Sequence, residues 1–278
     1  MRQDIFTQSS LREPGVIVAA TILFCLVIWA LMPQILVPGD GDTRYRPYLE
    51  PSSVHPLGTD DIGHDILYLV IISSRISLII TFAAGGLSTL IGVTIGVISG
   101  YFSGIGDDIL MGFTDIILII PKIPVIILLA AMTRPNLLLL ILVLGLLSWE
   151  TTARVVRSRV MQVAGAGYIL SARCLGFSPG WIMARDILPV IYPVVLPKLM
   201  LVIAGALISE ASLSFLGLSD STMNSWGKMI ADAFTHGGFI RGMWWWYTPP
   251  ALCIVLMILS CVRIGMIWEQ KGTETAFE

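Results

Sequence analysis

The sequence predicts an all-α integral membrane protein of about six transmembrane helices, on three observations. Hydrophobic residues make up 55% of the 278-residue chain and charged residues only 13%, with a mean hydropathy of +0.84, whereas roughly a quarter of the residues of a soluble chain are charged. Six separate runs are apolar over about the 20 residues that a helix needs to cross a bilayer. Arginine gathers in one of the segments between those runs, the pattern of a loop held on the cytoplasmic side.

The first run, Val16 to Val37, follows Arg2, Arg12 and Pro14. It is too long for a signal-peptide core and has no small-residue cleavage site after it, so it reads as an anchor that stays. The second, Ile76 to Gly100, carries Gly92, Gly96 and Gly100 at four-residue spacing, which lines three glycines along one face for close approach to another helix. The third, Asp108 to Met132, is interrupted by Pro121 and Pro124; each removes a backbone donor, which predicts a kink. The fourth, Leu137 to Ala153, follows a short Thr-Arg-Pro-Asn turn and returns antiparallel. The fifth, Pro193 to Leu218, and the sixth, Thr248 to Trp268, are expected to start at Pro193 and Pro197 and at Pro249 and Pro250, where a helix tolerates proline best. Trp244 to Tyr247 then reads as an aromatic belt at the membrane surface.

Arg154, Arg157, Arg159, Arg173 and Arg185 lie between the fourth and fifth spans with no acidic residue before Asp186. The positive-inside rule puts this loop in the cytoplasm and, with six spans, both termini there as well. Residues 1–15 are then a cytoplasmic segment, 16–37 the anchor, 38–75 an extracytoplasmic segment, 76–268 a five-helix core containing the cytoplasmic loop 154–189, and 269–278 a cytoplasmic tail. Ser219 to Gly242 falls on the outer side.

Other chemistries find little support. A net charge of −2 and the lack of interleaved aromatic and basic residues argue against nucleic acid. Cys25, Cys174, Cys253 and Cys261 have no CxxC spacing and read as packing residues. His55, His64 and His236 lack partners at ligand spacing. No catalytic residue and no metal site is expected, and no glycine-rich phosphate loop of the GxxxxGK[ST] type occurs.

Within the cytoplasmic loop, "YILSARCLG" places apolar and small residues at helical spacing before Gly176, and "FSPGWIMARDILP" follows. Gly176 permits a backbone reversal, and Ser178, Pro179 and Gly180 suit the start of a second short helix. Two short helices joined at a glycine make a knob. From the residues alone it fits either a groove on a partner protein or the lipid headgroups.

Charges inside spans are costly, about 2.5 to 3.5 kcal/mol at a helix centre, so each asks for a role. Asp115 and Lys122 in the third span and Glu210 in the fifth are expected to face the bundle interior, either as a polar wall of a solute pathway or as structural ties. In the outer segment, Asp60, Asp61 and Asp65 stand among glycines; they and Trp226 are candidates for contact with an external protein, with carboxylate metal coordination the weaker reading.

The loop is similar to the cytoplasmic motif of ATP-binding-cassette importer permeases, Glu-Ala-Ala, three residues, Gly, and a stretch ending in Leu-Pro. Ser171, Ala172, Gly176, Leu188 and Pro189 match, together with Arg173 and Leu175, while Leu170 stands at the motif's glutamate. "HPLGTDDIGHDIL", "SRISL", "GYFSGIGDDILMGFTDIILIIP", "ASLSFLGL" and "SWG" follow in order over Val54 to Asp232. They resemble the second permease subunit of oligopeptide, dipeptide and nickel importers. Two departures stand out: His64 where the family often has Arg, and "RIGMIWEQKG" in place of its usual C-terminal pattern.

The resemblance implies a type I importer permease fold in a prokaryotic cell membrane. It implies a homologous second permease, an extracytoplasmic solute-binding protein, and two ATPase subunits that hold the ATP and Mg; this chain would hold no cofactor. The ATPases would receive the knob from Ser171 through Phe177 to Trp181, so that nucleotide drives alternating access. A short peptide is the first expectation for the solute, nickel or a nickel complex the second. A secondary transporter or channel working alone is the reading from a different class, but no inverted repeat supports it.

Overall fold

The computed structural model describes residues 14–33, 43–132, 136–218 and 223–274. Most of the N-terminal segment, the end of the anchor, most of the Thr-Arg-Pro-Asn turn and the last four residues lie outside them. Helix α1 is Pro14–Leu31, α2 Ile66–Phe102, α3 Ile105–Ile119, α4 Lys122–Met132, α5 Leu137–Leu146 and α6 Glu150–Ala164. These are followed by α7 Gly167–Cys174, α8 Pro179–Ile182, α9 Leu188–Phe215, α10 Trp226–Thr235 and α11 Trp244–Glu274. Four stretches of helix are singly long and apolar enough to cross a membrane, and there are six spans when two bent pairs, α3 with α4 and α5 with α6, each count as one.

Helix α2 is the centre of the bundle. Its 37 residues reach about 55 Å at 1.5 Å per residue, well beyond the roughly 30 Å hydrocarbon layer. It starts at Ile66, ahead of the expected Ile76, because Asp65 caps it: the carboxylate accepts from the N–H groups of Leu67 and Tyr68 at 2.8 and 3.2 Å. The capped first turn is carried by Ile66 and Val70, buried in the core with Trp226 and Trp246.

The glycine stripe packs on α6. A Cβ at Gly92 would lie 2.6 Å from Thr152 Cβ, one at Gly96 2.6 Å from the Ala153 carbonyl, and one at Gly100 2.8 Å from the Arg157 carbonyl. The two backbones therefore approach along three turns at a distance only glycine allows. The third span breaks as its prolines require: α3 and α4 meet at 77° across Ile120 and Pro121. A second break, at 41° between α5 and α6, has no proline, and α6 runs on to Ala164 beyond the expected end at Ala153.

The last two spans correct the proline reading. Pro193 and Pro197 lie inside α9, whose first turn instead takes Pro189, and Pro249 and Pro250 lie inside α11, which opens at Trp244. No loop separates α8 from α9. The backbone is helical from Pro179 to Phe215 and passes through a π-helical turn at Met183–Ile187, the kind of local widening that accommodates an extra residue. The aromatic belt is also only partly a belt: Trp244 is exposed, but Trp245 and Trp246 are buried in the core.

Candidate functional site

The knob is built from the end of α7 onward. Gly176 has φ +85°, its N–H donates to the Arg173 carbonyl at 3.0 Å, and the Phe177 N–H donates to the Ala172 carbonyl at 3.2 Å. These two bonds are the Schellman pattern that ends a helix on a left-handed residue. Chain direction is then reset by Ser178, whose hydroxyl accepts from the Trp181 N–H at 3.4 Å, with Pro179 in the first helical turn. A Cβ at Gly176 would meet nothing within 4 Å, so the glycine is required by conformation, not by space.

One side of the knob is anchored. Ile169, Ile182 and Ile187 are fully buried against Val97 and Tyr101 of α2 and Val156 and Val160 of α6. Arg173 lays its guanidinium over the Tyr101 ring at 4.3 Å, and the Ser171 hydroxyl donates to the Gly167 carbonyl at 2.9 Å. The other side is open and apolar: Leu175 is 77% exposed, and Phe177 stacks on Trp181 at 4.3 Å with both rings partly exposed. Leu170, Leu188 and Pro189 are exposed as well. Any push on this cap passes through buried isoleucines into α2, α6 and α9.

The intramembrane charges do not form one wall. Asp115 accepts from Arg154 at 2.5 Å. The Lys122 ammonium lies 2.6 Å from Glu150 Oε1, with Glu150 fully buried and Lys122 37% exposed. Glu210 is fully buried elsewhere and accepts from the Ser214 hydroxyl at 2.7 Å, while its Oε2 has no hydrogen-bond partner among the described residues. Asp115 and Lys122 thus share a seam and Glu210 does not, because it sits on α9 facing a small cavity lined by Ile76, Ile80, Leu137, Leu140 and Ser225.

That seam holds a third pair: Arg157 binds Asp107 through Nε at 2.6 Å and Nη2 at 2.5 Å, and Ser99 of α2 donates to the same carboxylate. Asp107, Asp115 and Lys122 on the bent α3/α4 span therefore meet Arg157, Arg154 and Glu150 on α6, a ladder of three ion pairs. The sequence pattern puts Arg154 and Arg157 in a cytoplasmic loop and does not single out Glu150. The signal was present, since Glu150 lies within the expected fourth span and Lys198 within the fifth.

At the far end of the bundle the candidate contact residues have internal work. Trp226 is fully buried: its backbone N–H donates to Ser77 Oγ and its indole N–H to the Val70 carbonyl, both at 3.0 Å. It docks α10 on α2 and cannot be an exposed interface anchor. Asp60, also buried, accepts from the N–H groups of Ile62 and His64 at 3.0 and 2.7 Å. Asp65 is the cap of α2 and contacts His55 at 2.8 Å. Asp61 lies 3.4 Å from the His236 ring and ties this segment to the end of α10. On α10, burial pushes the Asp232 carboxyl above the usual range, with Lys228 and His236 opposing and Asp61 and Asp60 reinforcing.

Residues 92–270 match the family described as binding-protein-dependent transport system inner membrane component. The oligopeptide transport system permease protein OppC of Lactococcus lactis subsp. lactis (strain IL1403) is 35% identical over 221 residues, which cover 78% of this chain and 75% of that protein. The OppC protein of Bacillus subtilis (strain 168) is 36% identical over 218 residues, 78% and 71% of the two chains. The dipeptide transport system permease protein DppC of the same organism is 32% identical over 247 residues, 88% and 77%. Among solved structures, a chain of the MetNI methionine ABC transporter in an inward-facing conformation superposes with a TM-score of 0.58 at 19% identity, covering 73% of this chain and 97% of that one.

Proposed function

From the premise that this chain belongs to the family of binding-protein-dependent transport system inner membrane components, we propose that it is one permease subunit of an ATP-driven importer of dipeptides and oligopeptides. The fold is that of a type I ABC importer permease, and the chain is a multi-pass membrane protein. It forms half of the solute pathway beside a homologous permease, in a prokaryotic cell membrane with both termini in the cytoplasm. Two ATP-binding subunits, which hold the ATP and Mg, sit beneath the knob, and an extracytoplasmic binding protein delivers the solute. The peptide names of the relatives support the choice of solute over nickel.

The observation that carries this reading is the two-sided knob. An apolar cap of Leu175, Phe177 and Trp181 is exposed, while its base is locked into three long helices through Ile169, Ile182 and Ile187. An apolar cap on a short helix gains by entering a groove on a partner, and the close-packed base moves with it as one body. Closure of the ATPase pair on nucleotide thereby becomes tilting of α2, α6 and α9.

The test uses the conformational demand at Gly176. Asn visits the left-handed region more readily than other non-glycine residues and β-branched Val resists it. In the reconstituted complex, Gly176→Asn should keep most of the ATP hydrolysis that depends on loaded binding protein, and Gly176→Val should lose most of it with membrane insertion intact. Equal activity of the two variants would remove the turn from the coupling path.

A further inference from the structure

Helix α3 is not held to the chain by apolar packing. Only Asp107 and Thr114 of its 15 residues are buried. Ile105, Ile109, Phe113, Ile116 and Ile119 are exposed, and no α3 side chain enters an apolar core among the described residues. Phe113 stacks on Trp149 with ring centroids 6.2 Å apart, toward the outer limit of aromatic contact. Beyond the elbow α4 differs, since Ile126 is buried with Ile80, Leu140 and Leu144.

The backbone also breaks at both ends of α3. Ser103 and Gly104, just before it, have φ of +40° and +96°, positive values that a Cβ disfavours. Ile120 and Pro121 follow it at the 77° elbow. A helix broken off at each end and left out of the core follows its neighbours only through whatever grips it.

That grip is Arg157. Its Nε and Nη2 donate to the two oxygens of Asp107 at 2.6 and 2.5 Å, and Ser99 of α2 donates to the same carboxylate. The Asp107 side chain is 6% exposed, against 54% for Asp115 in the neighbouring pair, so water screens it little. Two parallel bonds to a planar guanidinium fix orientation as well as distance.

Arg157 also belongs to the base of the knob. Val156 beside it and Val160 in the next turn pack on Ile169, Ile182 and Ile187. In the last turn of α2, Tyr101 lies beneath the guanidinium of Arg173. The knob thus holds α2 and α6 through buried contacts, and Arg157 reaches from that body across the Ser103 and Gly104 break to α3.

We propose that Arg157 is a positioning residue of the transport cycle: through its paired bonds to Asp107 it makes α3 move as one body with α6 and the knob. This rests on the reading of the knob as the place where the ATPases act. Without the grip the knob tilts and α3 stays behind, so ATP is hydrolysed with little import.

The test uses the complete complex in proteoliposomes, with the exposed Cys25 and Cys174 replaced by serine. Nitroxide labels go on exposed positions of α3 and α6, at Ile116→Cys and Met161→Cys. Their separation should be the same in the nucleotide-free and vanadate-trapped states. Asp107→Asn keeps the shape of the side chain but offers one accepting oxygen, and it leaves the partly exposed Arg157 free to hydrate. It should broaden the label distances and lower import per ATP several-fold, while hydrolysis still responds to loaded binding protein. Arg157→Lys should do the same, and decides the matter if Asp107→Asn does not assemble. A label separation that changes on trapping without either variant overturns the proposal. So does an unchanged import per ATP, or a parallel loss of hydrolysis and import, which a merely structural pair predicts. If Leu175→Glu with Trp181→Glu leaves the ATPase response untouched, the knob reading fails instead, and the label distances still decide whether α3 and α6 are one body.

Discussion

At Glu150 a carboxylate with no exposed surface depends on one ammonium, and that dependence sets the cost of removing either group. Breaking a buried pair from one side leaves an uncompensated charge and costs about 3–5 kcal/mol, whereas replacing both partners with apolar groups is often close to neutral. Lys122→Met should therefore lower the thermal stability of the purified complex markedly, and the double variant Lys122→Met/Glu150→Leu should restore most of it. A double variant no better than the single would mean that the pair is not the reason for the loss. Single residues were unevenly legible beforehand. Gly92, Gly96, Gly100 and Gly176 declared themselves because glycine has one use at a close helix contact and one at a left-handed turn. Trp226 misled because an exposed anchor and a buried key look alike in sequence; only the positions of Ser77 and the Val70 carbonyl tell them apart.

Among the elements, α10 was the one not foreseen, since a 10-residue helix between two spans has no long apolar run to announce it. It is held at both ends, by Ser225 and Trp226 at its start and by the His236–Asp61 contact at its finish. Its half-buried Asp232 makes it sensitive to pH. The carboxyl titrates higher folded than unfolded, so the folded chain binds the proton more tightly and this group's contribution to stability falls as pH rises above the ordinary carboxylate range. Asp232→Asn should stabilise the protein at neutral pH and make no difference well below pH 4, which melting curves of both proteins across that range will register; equal melting temperatures at neutral pH would contradict it. The long helices were legible as spans but not in their limits. In sequence, Pro193, Pro197, Pro249 and Pro250 read as helix starts, yet packing of α9 and α11 in the core holds them inside helices. The break before Glu150 left no proline or glycine pair to find.

A knob at one end and a capped segment with α10 at the other are joined by α2 and α9, each a long helix running the depth of the bundle. The charge ladder binds the bent α3/α4 span to α6, which carries the knob's base. In the proposed coupling, tilting of the knob is passed through α6 and this ladder to the elbows of the bent spans. The fold class and the knob were readable from composition and from one turn; the ladder was not, because its pairs join residues up to 50 positions apart. The central claim is that the exposed cap of the knob carries the ATPase coupling. The most direct measurement is made on the complex with Leu175→Glu and Trp181→Glu together, purified in nanodiscs, reading which subunits remain and how fast ATP is hydrolysed with loaded binding protein. The account predicts that the partner permease stays, the ATPase subunits dissociate or hydrolyse without response to the binding protein, and import stops. Full retention of the ATPases with an unchanged response would contradict it.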